Sequence, residues 1–214
     1  MKKVIKRNRQ MTMERILNAL GEVIAERGAE KAGINAVAEK AGVNKVLIYR
    51  YFGGYEGLME RFIQQGHFLS FFNEQFLESN AEGMTTENRS RIWTDYMVSL
   101  LRELKSRRSS QELIKWELAN ITSDLSKKLA DIRNESLQKV VAQFAPHGSK
   151  DPAAITAVML AGITHLGMLS AYSYKILDVD LQSEDGWQRI ERAIQSIYHG
   201  LDLALKEEES QKQS

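Results

Sequence analysis

Residues 33–58 read GINAVAEKAGVNKVLIYRYFGGYEGL. Two helices fit into this stretch, over about 35–41 and 45–52. Each is only about two turns long, too short to stand alone, so both must pack on the helix before them. Ala38 is small where the pair would cross closely. Gly42, four residues later, falls where a tight turn needs positive φ. Val37, Val43 and Ile48 are apolar at positions that would face a shared core. A small residue, a glycine turn and a buried apolar residue at these intervals describe a helix-turn-helix. The second helix of such a motif can lie in a major groove with its N-terminal residues at base edges.

Working outward, helical periodicity dominates. A first helix is expected over about 12–27, with Ile16, Leu17, Leu20, Val23 and Ile24 on one stripe and Gly28 as its stop. Further helices are expected from Glu56 to the late seventies and over about 87–107, 110–120, 124–144, 152–177 and 186–206. That makes about nine helices and an all-α chain. Ser109 and Glu112 have capping-box spacing. Asp151 precedes Pro152, a capping carboxylate before a first-turn proline. Residues 146–149 read as a turn. The tail after Lys206, with Glu207, Glu208 and Glu209, is expected to fray. There is no repeat and no run of alternating strand residues.

Composition narrows the function classes. The 214 residues are 43% hydrophobic and 27% charged, ordinary for a globular protein. The two prolines, Pro146 and Pro152, suit a helical chain. Cysteine is absent, which excludes disulfides, thiol nucleophiles and thiolate metal sites. No uninterrupted apolar run approaches the roughly 18–20 residues of a bilayer span, so no membrane partner is expected. The basic segment 1–9 is not followed by a long apolar core, which argues against a signal peptide and for a cytoplasmic location. Residues 1–60 carry eleven Lys/Arg against seven Asp/Glu, while the remainder is net acidic. A basic front points to a polyanionic partner, the bland alternative being an unevenly charged solvated surface. Nucleophile elbow, phosphate loop, dinucleotide fingerprint and paired-histidine zinc motif are all missing. The four histidines, at 67, 147, 165 and 199, are scattered. No catalytic residue, metal site or cofactor is expected.

The quoted stretch and its surroundings resemble the TetR family of bacterial transcription regulators. The matching residues are Arg15-Ile16-Leu17, Gly28, Val37-Ala38, Ala41-Gly42-Val43-Asn44, Ile48-Tyr49-Arg50-Tyr51-Phe52, Glu56 and Leu58. The match covers about residues 10–65. Three positions depart from the common pattern: Gly33 stands where Thr often caps the second helix, Val46-Leu47 where Gly-Thr is frequent, and Tyr55 where Lys would meet a phosphate. The resemblance implies a helix-turn-helix DNA-binding domain over 10–70 and a ligand-sensing and dimerisation domain over 71–214. It further implies a homodimeric repressor on a palindromic operator in double-stranded DNA, nucleoid-associated when bound.

Roles then follow from chemistry and position. Lys45 suits a guanine O6/N7 contact, and Val46 and Leu47 suit thymine methyls. Tyr49 and Tyr51 suit phosphate or sugar contacts that set register, with packing of the short helices as the alternative. Arg50 is a phosphate contact or a second reader. Asn35 and Asn44 lie near the starts of the two helices, within reach of DNA, and Tyr55 offers a neutral hydrogen bond. Lys2, Lys3, Lys6, Arg7 and Arg9 form an arm that follows the backbone or enters the minor groove, or else a disordered solubilising tail.

The rest of the chain reads as a helical bundle. Trp187, Ile190, Ile194, Ile197, Leu201 and Ala204 alternate steps of three and four, the seam of a partner helix. The 152–177 helix is apolar on several sides, through Ile155, Val158, Met159, Ile163, Leu166 and Leu169, and Gly162 and Gly167 allow close approach. Two such helices per subunit would make a four-helix bundle across a two-fold axis, the alternative being an intramolecular core. Phe68, Phe72, Trp93, Tyr96, Met97, Trp116, Met159, Met168 and Tyr172 could hold an apolar or aromatic small molecule, or simply form core. His165, alone on its helix, reads as a pocket or core residue rather than a metal ligand. The competing function class is a helical adaptor that binds protein partners only.

Overall fold

The computed structural model describes residues 2–64, 70–80, 83–144, 151–172 and 174–213. Phe68 and residues 146–149 lie outside them, and the side chain of Phe72 is likewise not described. The described chain forms ten α-helices and one two-stranded hairpin, in two compact units. The first comprises Met1–Phe72 with Arg107–Ser136, the second Asn73–Ser106 with Leu137–Ser214.

In the first unit, α1 (Lys2–Arg27) supplies the floor. Ile16, Leu17, Leu20, Val23 and Ile24 are all fully buried, each worth about 1.5–3 kcal/mol against exposure. The helix begins ten residues before the expected start, so the basic segment continues it as helix. It ends at Gly28, φ 83°. A 3-10 turn (Ala29–Lys31) leads into α2 (Ile34–Ala41), α3 (Val46–Phe52) and α4 (Tyr55–Phe62). Gly42 takes φ 60° and its N–H donates back to the last turn of α2. At Gly57 a Cβ would lie 1.9 Å from the Phe52 carbonyl oxygen, so α4 closes on the end of α3 where only glycine fits. Of the helix expected from Glu56 to the late seventies, α4 is described to Phe62 and α5 over Ser70–Ser79, and residues 65–69 lie outside the described residues.

Also in this unit, α7 (Arg108–Ala119) packs on α1 and on the 3-10 turn. It starts two residues too early for the expected capping box. Ser109 is already helical, and Glu112 instead pairs with Arg108 (2.6 Å) and Lys115 (2.9 Å).

In the second unit, α6 (Arg89–Ser106) packs against both α9 (Pro152–Leu169) and α10 (Glu184–Gln213). α8 (Asp124–Phe144) enters this unit at Leu137. The start of α9 is as expected: Asp151 Oδ1 accepts from the Ala154 N–H at 2.9 Å, with Pro152 in the first turn. Its end is not. The helix stops at Leu169, and a hairpin follows, β1 (Lys175–Ile176) and β2 (Val179–Asp180), pairing Lys175 with Asp180 and Ile176 with Val179. The Gln182 side-chain amide donates to the carbonyls of Ser170 (3.1 Å) and Tyr172 (2.6 Å), giving the freed backbone groups a partner outside the helix.

Two expectations about α10 change. Its tail is helical to Gln213. Buried Arg89 holds Asp202 (2.5 Å) and Glu209 (2.7 Å), so the acidic end is pinned to α6. The seam of threes and fours also divides. Trp187, Ile190 and Ile194 are buried within the chain, as are Tyr198 and Leu205 on the same side. Ile197 is 51% exposed and Leu201 half-buried. On α9, Thr156, Ile163 and Gly167 face inward. Gly167 sits so close to α6 that a Cβ would be 2.8 Å from Leu104 Cβ. Val158 is 72% exposed on the opposite side, and Leu166 is half-buried. Among the described helices α9 is the one long and apolar enough, by length and composition, to cross a membrane; most of its apolar surface is not used in the chain's own core.

Candidate nucleic-acid interface and an apolar cavity

Asn44 prepares α3. Its Oδ1 accepts from the Val46 N–H at 2.9 Å, and its carbonyl accepts from the Leu47 N–H at 2.9 Å. This is the side-chain capping that a helix of seven residues needs. Ile48 alone of α3 is fully buried. The other faces therefore turn outward: Val46 is 61% and Tyr49 55% exposed, Lys45 and Arg50 are exposed, and Leu47 and Tyr51 are half-buried. Lys45 Nζ donates to Asn35 Oδ1 at 3.4 Å, which joins the starts of α2 and α3 on one surface.

Beside them the early turns of α1 complete a recess lined by Asn8, Arg9, Thr12, Leu47, Arg50 and Tyr51. Both guanidiniums lie over the Tyr51 ring, Arg9 at 5.2 Å and Arg50 at 4.9 Å from its centroid. Arg50 also donates to the Tyr51 hydroxyl at 2.8 Å. Lys40, by contrast, is neutralised by Glu26 (2.6 Å) and Glu22 (3.3 Å). Among the described residues Arg9, Lys45 and Arg50 have no carboxylate within ion-pair distance. Three uncompensated cations on one surface, with exposed phenols beside them, can neutralise phosphates and reach base edges.

Tyr55 is not part of this surface. Its ring is mostly buried, its hydroxyl donates to the Ala29 carbonyl at 3.4 Å, and burial pushes its pKa up. The side chain is used inside the domain, where an apolar ring gains more than a lysine would. Arg9 lies over Tyr51, a pairing that spacing alone did not give.

The residues expected to form a ligand pocket separate. Trp93 and Tyr96 line an apolar cavity in the second unit together with Met97, all from α6. The remaining walls are Val140, Val141 and Phe144 of α8, Thr156 of α9 and Tyr198 of α10. Trp116 lies in the first unit, in a different recess with Arg27, Glu112 and Lys115. His165 and Tyr172 are exposed, and Met168 is half-buried away from the cavity lining. The exposure of His165 corrects its reading as a pocket or core residue. Val140, Val141, Phe144, Thr156 and Tyr198 were missed because no local spacing joins α8, α9 and α10. The cavity sits within an aromatic cluster: Phe76 stands edge-on to Tyr96 (5.1 Å) and to Phe144 (5.5 Å), and Trp93 lies 5.7 Å from Tyr198.

An exposed, capped recognition helix in a three-helix N-terminal arrangement, followed by a larger helical bundle, defines an all-α protein with an N-terminal helix-turn-helix domain. Residues 16–62 match the family described as bacterial regulatory proteins, tetR family. No curated protein sequence matches the chain. Among solved structures, the fatty acid degradation regulator FadR from Bacillus halodurans is similar in fold, with a TM-score of 0.58 at 14% identity, over 90% of this chain and 96% of that one. A mutant of HlyIIR is similar with a TM-score of 0.50 at 22% identity, over 87% of this chain and 94% of that one. Both likenesses extend through the C-terminal helices, so the whole chain shares its fold with these two proteins.

Proposed function

We propose that this protein is a sequence-specific DNA-binding transcriptional regulator, a homodimer that represses from a palindromic operator and answers to a small apolar or aromatic molecule. The observation that carries the reading is the outward face of α3, where Lys45, Val46, Tyr49 and Arg50 stand exposed beside Arg9 with their charges uncompensated. In this reading Lys45 and its neighbours read base edges while Tyr49, Tyr51, Arg50 and Arg9 fix the backbone. Residues 10–70 bind DNA and residues 71–214 sense and dimerise, in the bacterial cytoplasm and at the nucleoid.

Two lines of support bear on dimerisation. Half-sites one helical turn apart require two recognition helices about 34–36 Å apart, and one chain carries one. The uncovered apolar surface of α9 and α10, with Val158, Ile197 and Leu203 exposed, supports these helices as the joining face. A ligand acts only through differential affinity for two conformations; a shift from 1:99 to 99:1 takes about 5.5 kcal/mol.

Selection of bound sequences from random duplex DNA, followed by titration of the winner across salt concentrations, tests the reading. A two-fold symmetric consensus with strongly salt-dependent affinity is the expected result. Absence of duplex binding at low salt overturns it and returns the chain to the protein-binding adaptors.

A further inference from the structure

The connection between α9 and α10 carries two costs that its own unit does not offset, and both fall on one residue. Leu177 and Asp178 form the two-residue loop of the hairpin, between the paired Ile176 and Val179. Leu177 takes φ 55°, and among the described residues no other non-glycine has a positive φ. A positive φ at the first loop position alone is the pattern of a type II′ turn, a position that favours glycine; a leucine there crowds its Cβ against the backbone. The same side chain is 95% exposed, so it gains almost nothing from burial within the chain.

Strain of this kind persists only where the surroundings impose it, and here they do. Arg189 of α10 donates through Nη2 to both carboxylate oxygens of Asp178 at 2.9 Å, and through Nη1 to its carbonyl at 3.2 Å. Lys175 pairs with Asp180 across the strands at 3.6 Å. The Leu181 N–H donates to the Tyr174 carbonyl at 3.1 Å, and Trp187 Nε1–H donates to the Leu181 carbonyl at 2.9 Å. The hairpin is therefore a prong fastened to the first turns of α10, with an apolar side chain at its tip. What meets the tip follows from where exposed apolar residues lie. In the second unit the large hydrophobic residues left exposed are Val158, Tyr172, Tyr174, Leu177, Ile197 and Leu203. All fall on α9, on α10 or on the connection between them, and none on α6 or on residues 137–144 of α8.

We propose that the hairpin tip is part of the subunit contact, with Leu177 of each chain buried against a second copy of this chain. The inference rests on the homodimer reading above and adds the hairpin to the face formed there by α9 and α10. A second copy brings the apolar surface the tip needs, the same stretch from α9 through the hairpin to α10, and a two-fold contact covers both tips at once. Burial of the side chain there offsets what the strained, exposed leucine costs in the lone chain.

The chain has no cysteine, so Leu177→Cys places a single thiol at the tip of the full-length protein. Its reaction with a maleimide is followed across protein concentrations at which sedimentation gives the monomer–dimer ratio. The rate is expected to fall as dimer forms, whereas Leu118→Cys, exposed on α7 in the first unit, should react alike throughout. A benzophenone carried on the 177 thiol should, on illumination, join two copies of this chain. Leu177→Gly removes the side chain and relaxes the loop together. It should weaken the dimer about 10-fold or more, the worth of one buried leucine, while the unfolding midpoint, compared at equal fraction of dimer, stays level or rises. Leu177→Met, apolar and of similar volume, should keep the dimer. A thiol at 177 equally reactive in monomer and dimer, a crosslink confined to its own chain, or a Leu177→Gly dimer as tight as wild type each overturns the proposal and leaves the homodimer standing. A wild-type chain monomeric at every concentration defeats the homodimer reading, and the hairpin's part in it as well.

Discussion

The surface of α3 and the cavity behind Trp93 treat their polar groups in opposite ways. Lys45, Arg50 and Arg9 are kept available by exposure, where water solvates them at no cost and salt screens them. Around the cavity the polar groups of Trp93, Tyr96 and Thr156 are spent on partners inside the fold, and the Tyr198 side chain is buried. The first arrangement suits a large polyanion met at long range, with affinity that falls steeply with salt. The second is an apolar, largely aromatic wall with no charged side chain in its lining. The difference also governs how each site tolerates change: an exposed lysine can be removed without consequence for the fold, and a buried aromatic cannot.

The sharpest break in that comparison lies on α10. Ile194 is 4% exposed and Ile197 51% exposed, three residues apart. Ile194→Glu places a carboxylate in the second unit's own core and should cost more than about 4 kcal/mol, seen as loss of its cooperative thermal transition. Ile197→Glu should leave the midpoint within the range of about 0.5 kcal/mol typical of surface changes, and convert the dimer to monomer in sedimentation. Equal effects of the two would mean that the burial divide along α10 is not the one described.

On the exposed side, Lys45→Ala should cost about 1–3 kcal/mol on the selected operator and relax preference at one base pair per half-site. Arg9→Ala should instead weaken all duplexes alike and reduce the salt slope by about 1. A base-specific loss from Arg9→Ala would make it a reader and not a phosphate contact. Mobility-shift titrations at several salt concentrations separate the two outcomes.

Smaller still are the phenol deletions. Tyr49→Phe and Tyr51→Phe should each weaken every duplex by about 1 kcal/mol, the worth of one hydrogen bond, with unfolding midpoints near wild type. A fall in midpoint at constant DNA preference would assign these rings to packing.

The subtlest contrast is in pH dependence, because the two units bury carboxylates of opposite tendency. In the first unit Glu117 is 6% exposed and its Oε1 has no partner. Burial raises its pKa above 4.5, more than the paired Arg133 lowers it. Its charge therefore costs stability above the folded pKa, and that cost disappears as pH falls through the folded value toward 4.5. In the second unit burial also pushes Asp202 upward, but hydrogen bonds from Arg89 and Lys206 outweigh it and hold the pKa below 3.8. Its contribution is present above 3.8 and is lost as pH falls through the lower folded value. Thus Glu117→Gln should be stabilising at neutral pH and lose that advantage below about pH 4.5. Asp202→Asn should be destabilising at neutral pH, the gap closing only below about pH 3.8. Unfolding curves between pH 3 and 7 check both signs.

How far each site could be read from the chain follows from how its parts are spaced. The α3 surface is built almost entirely within residues 35–51, so the intervals Ala38, Gly42, Ile48 already separate inward from outward positions. Asn44 and Tyr51 fell on the predicted side for that reason. Tyr55 did not, because its hydroxyl donates to the carbonyl of Ala29, twenty-six residues earlier. For the cavity, composition pointed to many aromatics, and Trp93 and Tyr96 are in the wall. Trp116, His165 and Tyr172 are equally apolar or aromatic in sequence and lie elsewhere.

By itself the sequence determined what is local: the helices with their glycine stops, the Asp151 cap, and the helix-turn-helix whose residues specify their own neighbours through contacts of three to five positions. Only tertiary structure decided which side of α10 is core. Trp187, Ile190, Ile194 and Ile197 carry the same hydrophobic signal, and it is the presence of α6 that buries three of them and leaves the fourth out. The same holds for the end of α9, where the side chain of Gln182 captures carbonyls ten and twelve residues back. It holds for Tyr198 as well, which lines a cavity whose walls come together from four helices. Periodicity states that a residue is apolar and on a face; it carries no information about which other face arrives there.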